Sequence, residues 1–331
     1  MSTPWAEDPI RGGRTTVRDV LVDAERRLER AGVPSPAVDA AEIVSHALGV
    51  PRGRMFLLDA MSEDDKVRVE QLLARRLARV PLQHLLGTAS FRYLEVAVGP
   101  GVFIPRPETE LVAEAAIRDL MAAPGPRGVA VDLCSGSGIL ALALATECPE
   151  SQVHAVEWDE AALAWARRNV DEHRSAIEGV GSSLTLHHAD ARRAAEPGEP
   201  LAELIGTVDV VVSNPPYIPD RMVPREPEVR DHEPHVALFG GPDGLDVVRG
   251  VARTAALLLR PGGLLVIEHA DVQGDDAGPA GVPDLLRGLS ADPEFARRTG
   301  ASPGSLLLDG IVDRLDLAGR PRFTLARRRP R

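Results

Sequence analysis

Scarcity marks this sequence. Its 331 residues include two cysteines, two tyrosines, two asparagines and one lysine. Cys134 and Cys148 are too few to staple a chain long enough to bury its own core, so a reducing compartment is expected rather than a disulfide-built fold. No uninterrupted apolar run approaches the ~18 residues of a membrane span. The opening "MSTPWAEDPIRGGR" has no apolar h-region, so no secretory signal is expected and the protein reads as cytoplasmic. His232 and His235 are spaced for a metal, yet no cysteine or third histidine accompanies them, and no metal is expected. Lys66 stands alone against 37 arginines, which reflects the codon bias of a GC-rich genome.

Positive charge is also short in one half. Residues 1–100 carry 14 basic and 14 acidic side chains, whereas 101–331 carry 24 and 35, so the whole net charge of −11 lies there. A duplex nucleic-acid binder needs a cationic face to displace counterions. This half advertises none, and direct nucleic-acid binding is not expected.

Length favours two domains. Residues 1–14 read as a disordered tail. In 15–32, Val17, Val20, Leu21, Ala24 and Leu28 share one helical face, and Gly32 suits the helix end. Ser35 and Pro36 open a second helix over 35–49. Ser62 and Asp65 open a third over 62–80, which turns Val69, Leu72, Leu73 and Leu77 inward. These make a small helical domain, 15–85. The period then changes: Leu94, Val96 and Val98 alternate, Gly99-Pro100-Gly101 turns, and Val102–Ile104 returns. This predicts a β-hairpin linker over 86–105.

Strands and helices alternate in the remainder, 106–331. Strands are predicted at 129–133, 153–157, 184–188, 208–213 and 263–268, and helices at 138–147, 160–172 and 244–259. The pattern argues an α/β, doubly wound, mostly parallel sheet. Residues 306–315 and 322–327, with no helix between them, form an antiparallel pair finishing it. The segment 270–282 has no interpretation at this level.

Ligands of such sheets bind beyond the carboxyl ends of the strands. Three ends here carry suitable groups. "VDLCSGSG" closes a strand with Asp132, and Gly136 and Gly138 let the backbone turn toward a ligand before a helix starts. With Ala141 they also spell G-x-G-x-x-A, so a dinucleotide site is compatible. Glu157 closes the next strand, placed to accept the ribose hydroxyls of an adenosine-type cofactor. Asp190 and Ala191 follow the third strand, beside the adenine by position.

The third end is "DVVVSNPPYI", where one of the two asparagines and one of the two tyrosines fall within four residues. An amide nitrogen is a poor nucleophile because its lone pair is delocalised. The Asn214 side-chain carbonyl and the Pro215 backbone carbonyl can each accept one N–H of such a group and fix it before an electrophile. Tyr217 can stack on the planar amide and exclude water. This is catalysis by orientation and electrostatics, without a strong base.

"DLCSGSG", "VE", "SNPPYI" and "GLLVIEH" resemble the class I S-adenosylmethionine-dependent methyltransferases that modify planar NH₂ groups. "RRLARVPLQHLLGTASF" (75–91), "FIPRPETELV" (103–112), "NPPYI" and "EPHVALFGGPDGL" (233–245) narrow the resemblance to the glutamine N5-methyltransferases of peptide chain release factors, the HemK/PrmC family. It covers nearly everything from 15 to 327. It implies a Rossmann-like catalytic domain and S-adenosyl-L-methionine as cofactor, with S-adenosyl-L-homocysteine as product. Class 1 release factors, modified in a Gly-Gly-Gln loop, would be the substrate, recognised by the helical domain.

Cofactor contacts carry over to Asp132, Cys134, Ser135, Gly136, Ser137, Gly138, Glu157, Asp190, Ala191 and Asn214. Substrate contacts carry over to Asn214, Pro215, Pro216 and Tyr217. Cys134 departs from the family's usual glycine, which predicts strain in a tight turn, and Ala191 replaces an aromatic found in some members. A monomer is expected. The competing readings are a ribosomal-protein glutamine methyltransferase, a DNA or RNA amino-methyltransferase using the same Asn-Pro-Pro-Tyr motif, a nicotinamide oxidoreductase and a non-catalytic cofactor sensor.

Overall fold

The structure, a computed structural model, describes residues 16–58, 60–123, 125 and 127–330. The expected tail over 1–14 lies outside the described residues. In chain order the elements begin with α1 (Val17–Arg30), α2 (Pro36–Leu48), α3 (Arg52–Met55), α4 (Glu63–Leu77) and α5 (Leu82–Leu86). A hairpin of β1 (Thr88–Phe91) and β2 (Leu94–Ala97) leads to α6 (Thr109–Met121), β3 (Val129–Leu133), α7 (Ile139–Glu147), β4 (Gln152–Glu157), α8 (Glu160–Gly179) and β5 (Ser183–His188). Then come β6 (Val208–Ser213), α9 (Pro227–His232), α10 (Asp246–Leu258) and β7 (Leu259–Glu268). Last are α11 (Val282–Gly288), α12 (Pro293–Thr299), β8 (Leu308–Leu315) and β9 (Pro321–Arg328). None of the described helices is long and apolar enough to cross a membrane.

The chain divides into two compact units, Met1–Thr88 with Pro224–His232, and Ala89–Val223 with Glu233–Arg331. In the helical unit, Thr16 and Asp19 form a reciprocal capping box at the start of α1, and Ser62 and Asp65 form another at α4. Each satisfies backbone donors that a helix start leaves open. Ser35 occupies the N-cap position of α2, but its side chain caps nothing; Pro36 at the first helical position sets the turn instead. Val17, Val20, Ala24 and Leu28 are buried against Ile43, Val44, Met55, Val69 and Leu73, whereas Leu21, Leu72 and Leu77 are only partly covered. Each fully buried aliphatic side chain contributes about 1.5–3 kcal/mol.

The return of 224–232 into this unit is a feature that the sequence did not announce. Glu228 of α9 accepts from Arg76 at 2.8 Å and from Arg79 at 2.7 Å, and Arg76 also reaches Asp39 at 2.6 Å.

In the larger unit the hairpin differs from expectation. Its strands are 88–91 and 94–97, and its turn is Arg92-Tyr93, with Arg92 in the left-handed region at φ 51°. The Glu110 carboxylate accepts the Arg92 N–H at 3.1 Å, and the guanidinium spans Glu114 and Glu147. Those contacts hold a conformation that a non-glycine residue otherwise avoids. Residues 102–104 therefore form no return strand. Glu110, the acid in the first turn of α6, is thereby also a ligand of the hairpin turn.

The main sheet has the order β5-β4-β3-β6-β7-β9-β8, parallel except where β9 runs antiparallel to β7 and β8. Helices cover both faces, and alternate residues of each strand serve opposite sides, as strand geometry requires. Val210 and Val212 join α6, α7 and α8, while Val211 joins α10, α11 and α12. Asp209, an acid within the apolar β6 run, accepts Val129 N–H at 2.8 Å and Arg260 at 2.6 Å. It anchors the start of β3. Because the chain winds outward from β3 through β4 to β5 and then back through β6, the switch point falls between β3 and β6, where such sheets bind ligands.

Candidate active site

The β3 end and its loop form one wall. Gly136 and Gly138 adopt φ of 56° and 82°, and Cys134 shares the left-handed region at φ 67°, the conformation anticipated for a tight turn there. Nothing lies within 4 Å of a Cβ built on Gly136, so that backbone faces open space. Cys134 is half-buried in the same wall; burial, then the neighbouring carboxylates, pushes its thiol well above the ordinary value, so it stays protonated. Ser137 is fixed through its carbonyl, which accepts from Asn169 at 3.0 Å. That asparagine also exchanges two hydrogen bonds with Ala97, tying the hairpin to the glycine loop.

Asp132 is fully buried; its Oδ2 accepts Ala141 N–H at 3.1 Å, while Oδ1 has no partner among the described residues. Ser135 Oγ is likewise buried and unpartnered. Burial, and secondarily the charge of Glu157, pushes the Asp132 carboxyl up to about 8. Glu157 closes β4 and accepts backbone N–H groups from Gly136 at 2.7 Å and Asp159 at 2.8 Å. Burial raises its pKa too, against those hydrogen bonds.

One strand further out, the Ala189 N–H bonds the Glu157 carbonyl, which sets Asp190 and the buried Ala191 beside that acid. Burial alone would raise Asp190, but hydrogen bonds from Arg192 outweigh it and lower its pKa. Two orphaned polar atoms, two raised carboxyl groups and an open glycine backbone make a cradle for a ligand carrying positive charge and hydroxyl groups.

The second wall is the β6 end. Asn214 is half-buried, and its Nδ2 donates to Thr109 Oγ1 at 3.4 Å. Among the described residues no donor reaches its Oδ1 or the Pro215 carbonyl. The Thr109 hydroxyl donates in turn to Glu268 Oε2 at 2.8 Å, and the Tyr217 hydroxyl donates to Glu268 Oε1 at 3.3 Å. Burial, then Glu268, pushes the phenol above its ordinary value, so it remains a donor.

Thr109, Glu268 and Asn169 were not singled out from the sequence. Glu268 carried a signal, since it ends an apolar strand, as Glu157 does and Asp132 nearly does.

The motif rests on a platform. Ile218 exchanges backbone hydrogen bonds with Leu238 and Gly240, at 2.8 and 2.9 Å. A Cβ on Gly240 would stand 2.5 Å from the Pro216 carbonyl, and one on Gly244 2.2 Å from that of Tyr217. Only glycine lets this loop lie flat against Pro215-Pro216-Tyr217. At its start, Glu233 is buried against Arg106, which covers the Phe103 ring at 4.9 Å. The 270–282 segment supplies Gln273, whose buried side chain donates to the Tyr217 carbonyl at 3.0 Å. His232 ends α9, and His235 stacks on Phe239 at 4.1 Å. Among the described residues no group of three or more His, Cys, Asp or Glu could hold a metal ion.

Two family models match this chain. Residues 19–87 match the family described as PrmC N-terminal domain, and 94–224 match Methyltransferase small domain. A Release factor glutamine methyltransferase of Streptomyces coelicolor is 46% identical over 309 residues, 93% of this chain and 96% of that protein. The protein of the same name from Mycolicibacterium smegmatis is 42% identical over 315 residues, 95% of this chain and 98% of its own length. Among solved structures, a T. thermophilus 16S rRNA N2 G1207 methyltransferase in complex with AdoMet and guanosine aligns at a TM-score of 0.41 and 20% identity, over 73% of this chain and 50% of that one.

Proposed function

The chain belongs to the release factor glutamine methyltransferase family, and from that premise we propose that it transfers a methyl group from S-adenosylmethionine to the side-chain amide nitrogen of the glutamine in the Gly-Gly-Gln loop of class 1 release factors. The observation that carries this reading is the pair of unengaged acceptors at the end of β6, Asn214 Oδ1 and the Pro215 carbonyl. A primary amide brings two N–H donors, and two fixed carbonyls receive them. Tyr217, buttressed by Gln273 and Gly244, covers the planar group and excludes water.

The cradle fits the cofactor. Asp132 Oδ1 and Ser135 Oγ are orphaned acceptors, Glu157 retains lone pairs for ribose hydroxyls, and Gly136 presents open backbone. S-adenosylmethionine, when bound, supplies a sulfonium methyl as electrophile. Cys134, at a position where glycine would be usual, still adopts the left-handed turn that the loop requires. Asn214 and Pro215 hold the amide nitrogen with its N–H bonds engaged, which leaves the lone pair as the exposed face. Once the nitrogen has gained the methyl, one of its own two N–H protons is lost, so no strong base is needed at the moment of reaction. The glycines of the target loop let its backbone enter a narrow, tyrosine-lined site. The helical unit, with its own core, is the part we assign to recognition of the release factor.

The test is Asn214→Ala, measured by single-turnover methylation of a release factor at saturating cofactor and by thermal melting. Loss of one preorganised polar contact lowers the rate by about 10²–10³, with little change in melting. Asn214→Asp should fail too, because a carboxylate over-stabilises a cationic ground state. A folded, cofactor-binding Asn214→Ala that methylates at the wild-type rate would overturn the mechanism. Duplex DNA and ribosomal RNA offered in parallel with labelled cofactor should stay unlabelled.

A further inference from the structure

An asparagine amide presents an acceptor on one side and a donor on the other, and the two ends have almost the same shape. For Asn214 the choice is decisive. Only Oδ1 toward the substrate can accept an amide N–H; Nδ2 there would set donor against donor. Nothing in Asn214 itself makes this choice, and its only hydrogen-bond partner among the described residues, Thr109, is a hydroxyl that can serve either end.

The selection comes from behind Thr109. Glu268 is fully buried at the end of β7, and an ionised carboxylate accepts only. Thr109 Oγ1 lies 2.8 Å from Glu268 Oε2 and spends its single proton there. Its oxygen then has lone pairs alone to offer Asn214 and can meet only Nδ2. Tyr217 donates to the other carboxylate oxygen, so both oxygens of Glu268 are occupied by donors.

We propose that Glu268 is the positioning residue that sets the polarity of the Asn214 amide, acting through the Thr109 hydroxyl so that Oδ1 faces the substrate. This rests on the reading that Asn214 receives the glutamine amide. Protonation of Glu268 undoes the arrangement. A carboxylic acid can donate to Thr109, whose own proton is then released to point at Asn214 and draw Oδ1 backward.

The charged and titratable groups around Glu268 are few. Glu108 lies at the start of α6 and Arg322 on β9, the latter paired with Asp316. Tyr217 keeps its proton. The neighbouring His269 turns to Thr324 and Asp313, and burial lowers its pKa, so it is neutral. Burial pushes Glu268 up to about 7, against the Thr109 hydrogen bond and the Arg322 charge. The switch between the two polarities therefore falls near neutrality.

The experiment is a pH profile of single-turnover methylation on a whole release factor, with cofactor affinity and melting recorded for each variant. Wild type should lose rate about tenfold per pH unit below about 7. Glu268→Gln carries one donor and one acceptor and can be turned either way. Its rate at pH 8 should fall about tenfold, and its acid limb near 7 should vanish while cofactor affinity is unchanged. Thr109→Val should lose rate by a similar factor, and Thr109→Ser should restore it, since only the hydroxyl is required. Wild-type rate together with an intact acid limb in Glu268→Gln would overturn the proposal, as would a Thr109→Val that keeps the wild-type rate. Asn214→Ala, run alongside, separates the two failures: an active Asn214→Ala defeats the underlying reading, whereas an inactive one beside a normal Glu268→Gln defeats only the role of Glu268.

Discussion

Gln273 donates its side-chain amide to the backbone carbonyl of Tyr217 across 3.0 Å, and the same side chain accepts the Ala270 N–H at 3.1 Å. One buried residue thus ties the short turn after β7 to the loop after β6. Replacing it with alanine strips the partly buried Tyr217 carbonyl of its donor, which costs about 1 kcal/mol. Gln273→Ala should therefore melt earlier and turn over more slowly, because Tyr217 is no longer held in place. Cofactor affinity, set at the β3 and β4 ends, should be unchanged. Calorimetric titration with S-adenosylhomocysteine beside a turnover assay checks both halves, and unaltered turnover would show that Tyr217 holds its position without Gln273.

What was legible in the sequence divides along physical lines. Strands 129–133 and 208–213 were read to the residue, because a buried parallel strand is a near-continuous β-branched run with abrupt ends. The loop Cys134–Gly138 and the Asn214–Tyr217 motif sit where glycines and prolines stop those runs. The hairpin was misplaced because Gly99-Pro100-Gly101 is the stronger turn signal locally. The turn at Arg92 depends on Glu110, Glu114 and Glu147, distant partners that no local pattern reveals.

Glu268 and Gln273 were missed for the same reason: their meaning lies in what faces them across the sheet edge. Asn169 was counted as one of only two asparagines, yet its link between Ala97 and Ser137 needed coordinates. Membership of 224–232 in the helical unit rests on Glu228 meeting two arginines about 150 positions away in sequence.

Asp132 and Glu268 make stability depend on pH in a defined direction. Both are fully buried, with pKa values pushed up to about 8 and about 7 from ordinary values of 3.8 and 4.5. The folded state therefore holds protons that the unfolded chain releases, and stability falls as pH rises through that window. Each group contributes at most about 1.4 kcal/mol per pH unit. Cofactor-free protein should melt at a lower temperature at pH 8 than at pH 5.5. Asp132→Asn keeps an oxygen for Ala141 but carries no charge, so it should flatten this slope and raise the melting temperature at pH 8. Above about pH 8, where Asp132 is ionised, the same change should also weaken cofactor binding by removing an anion from the cradle. An unchanged slope in Asp132→Asn would show that Asp132 is not the group that titrates.

Glu228 offers a test of the helical unit alone. Its carboxylate meets Arg76 and Arg79, and the Arg76 side chain is only 6% exposed. Removing one partner of a buried ion pair typically costs about 3–5 kcal/mol because a charge is left uncompensated. Here Arg76 keeps Asp39 at 2.6 Å and Arg79 keeps the Gly32 carbonyl at 2.7 Å, so each cation retains an acceptor. The loss from Glu228→Ala should accordingly fall below that range, about 1–3 kcal/mol. It should appear as faster amide hydrogen exchange across α9, where Glu228 is the described anchor to those arginines. A double variant with Asp39→Ala should lose more than the sum of the single changes, since Arg76 then has neither carboxylate. Strict additivity in that cycle would mean that the two acids act on Arg76 independently.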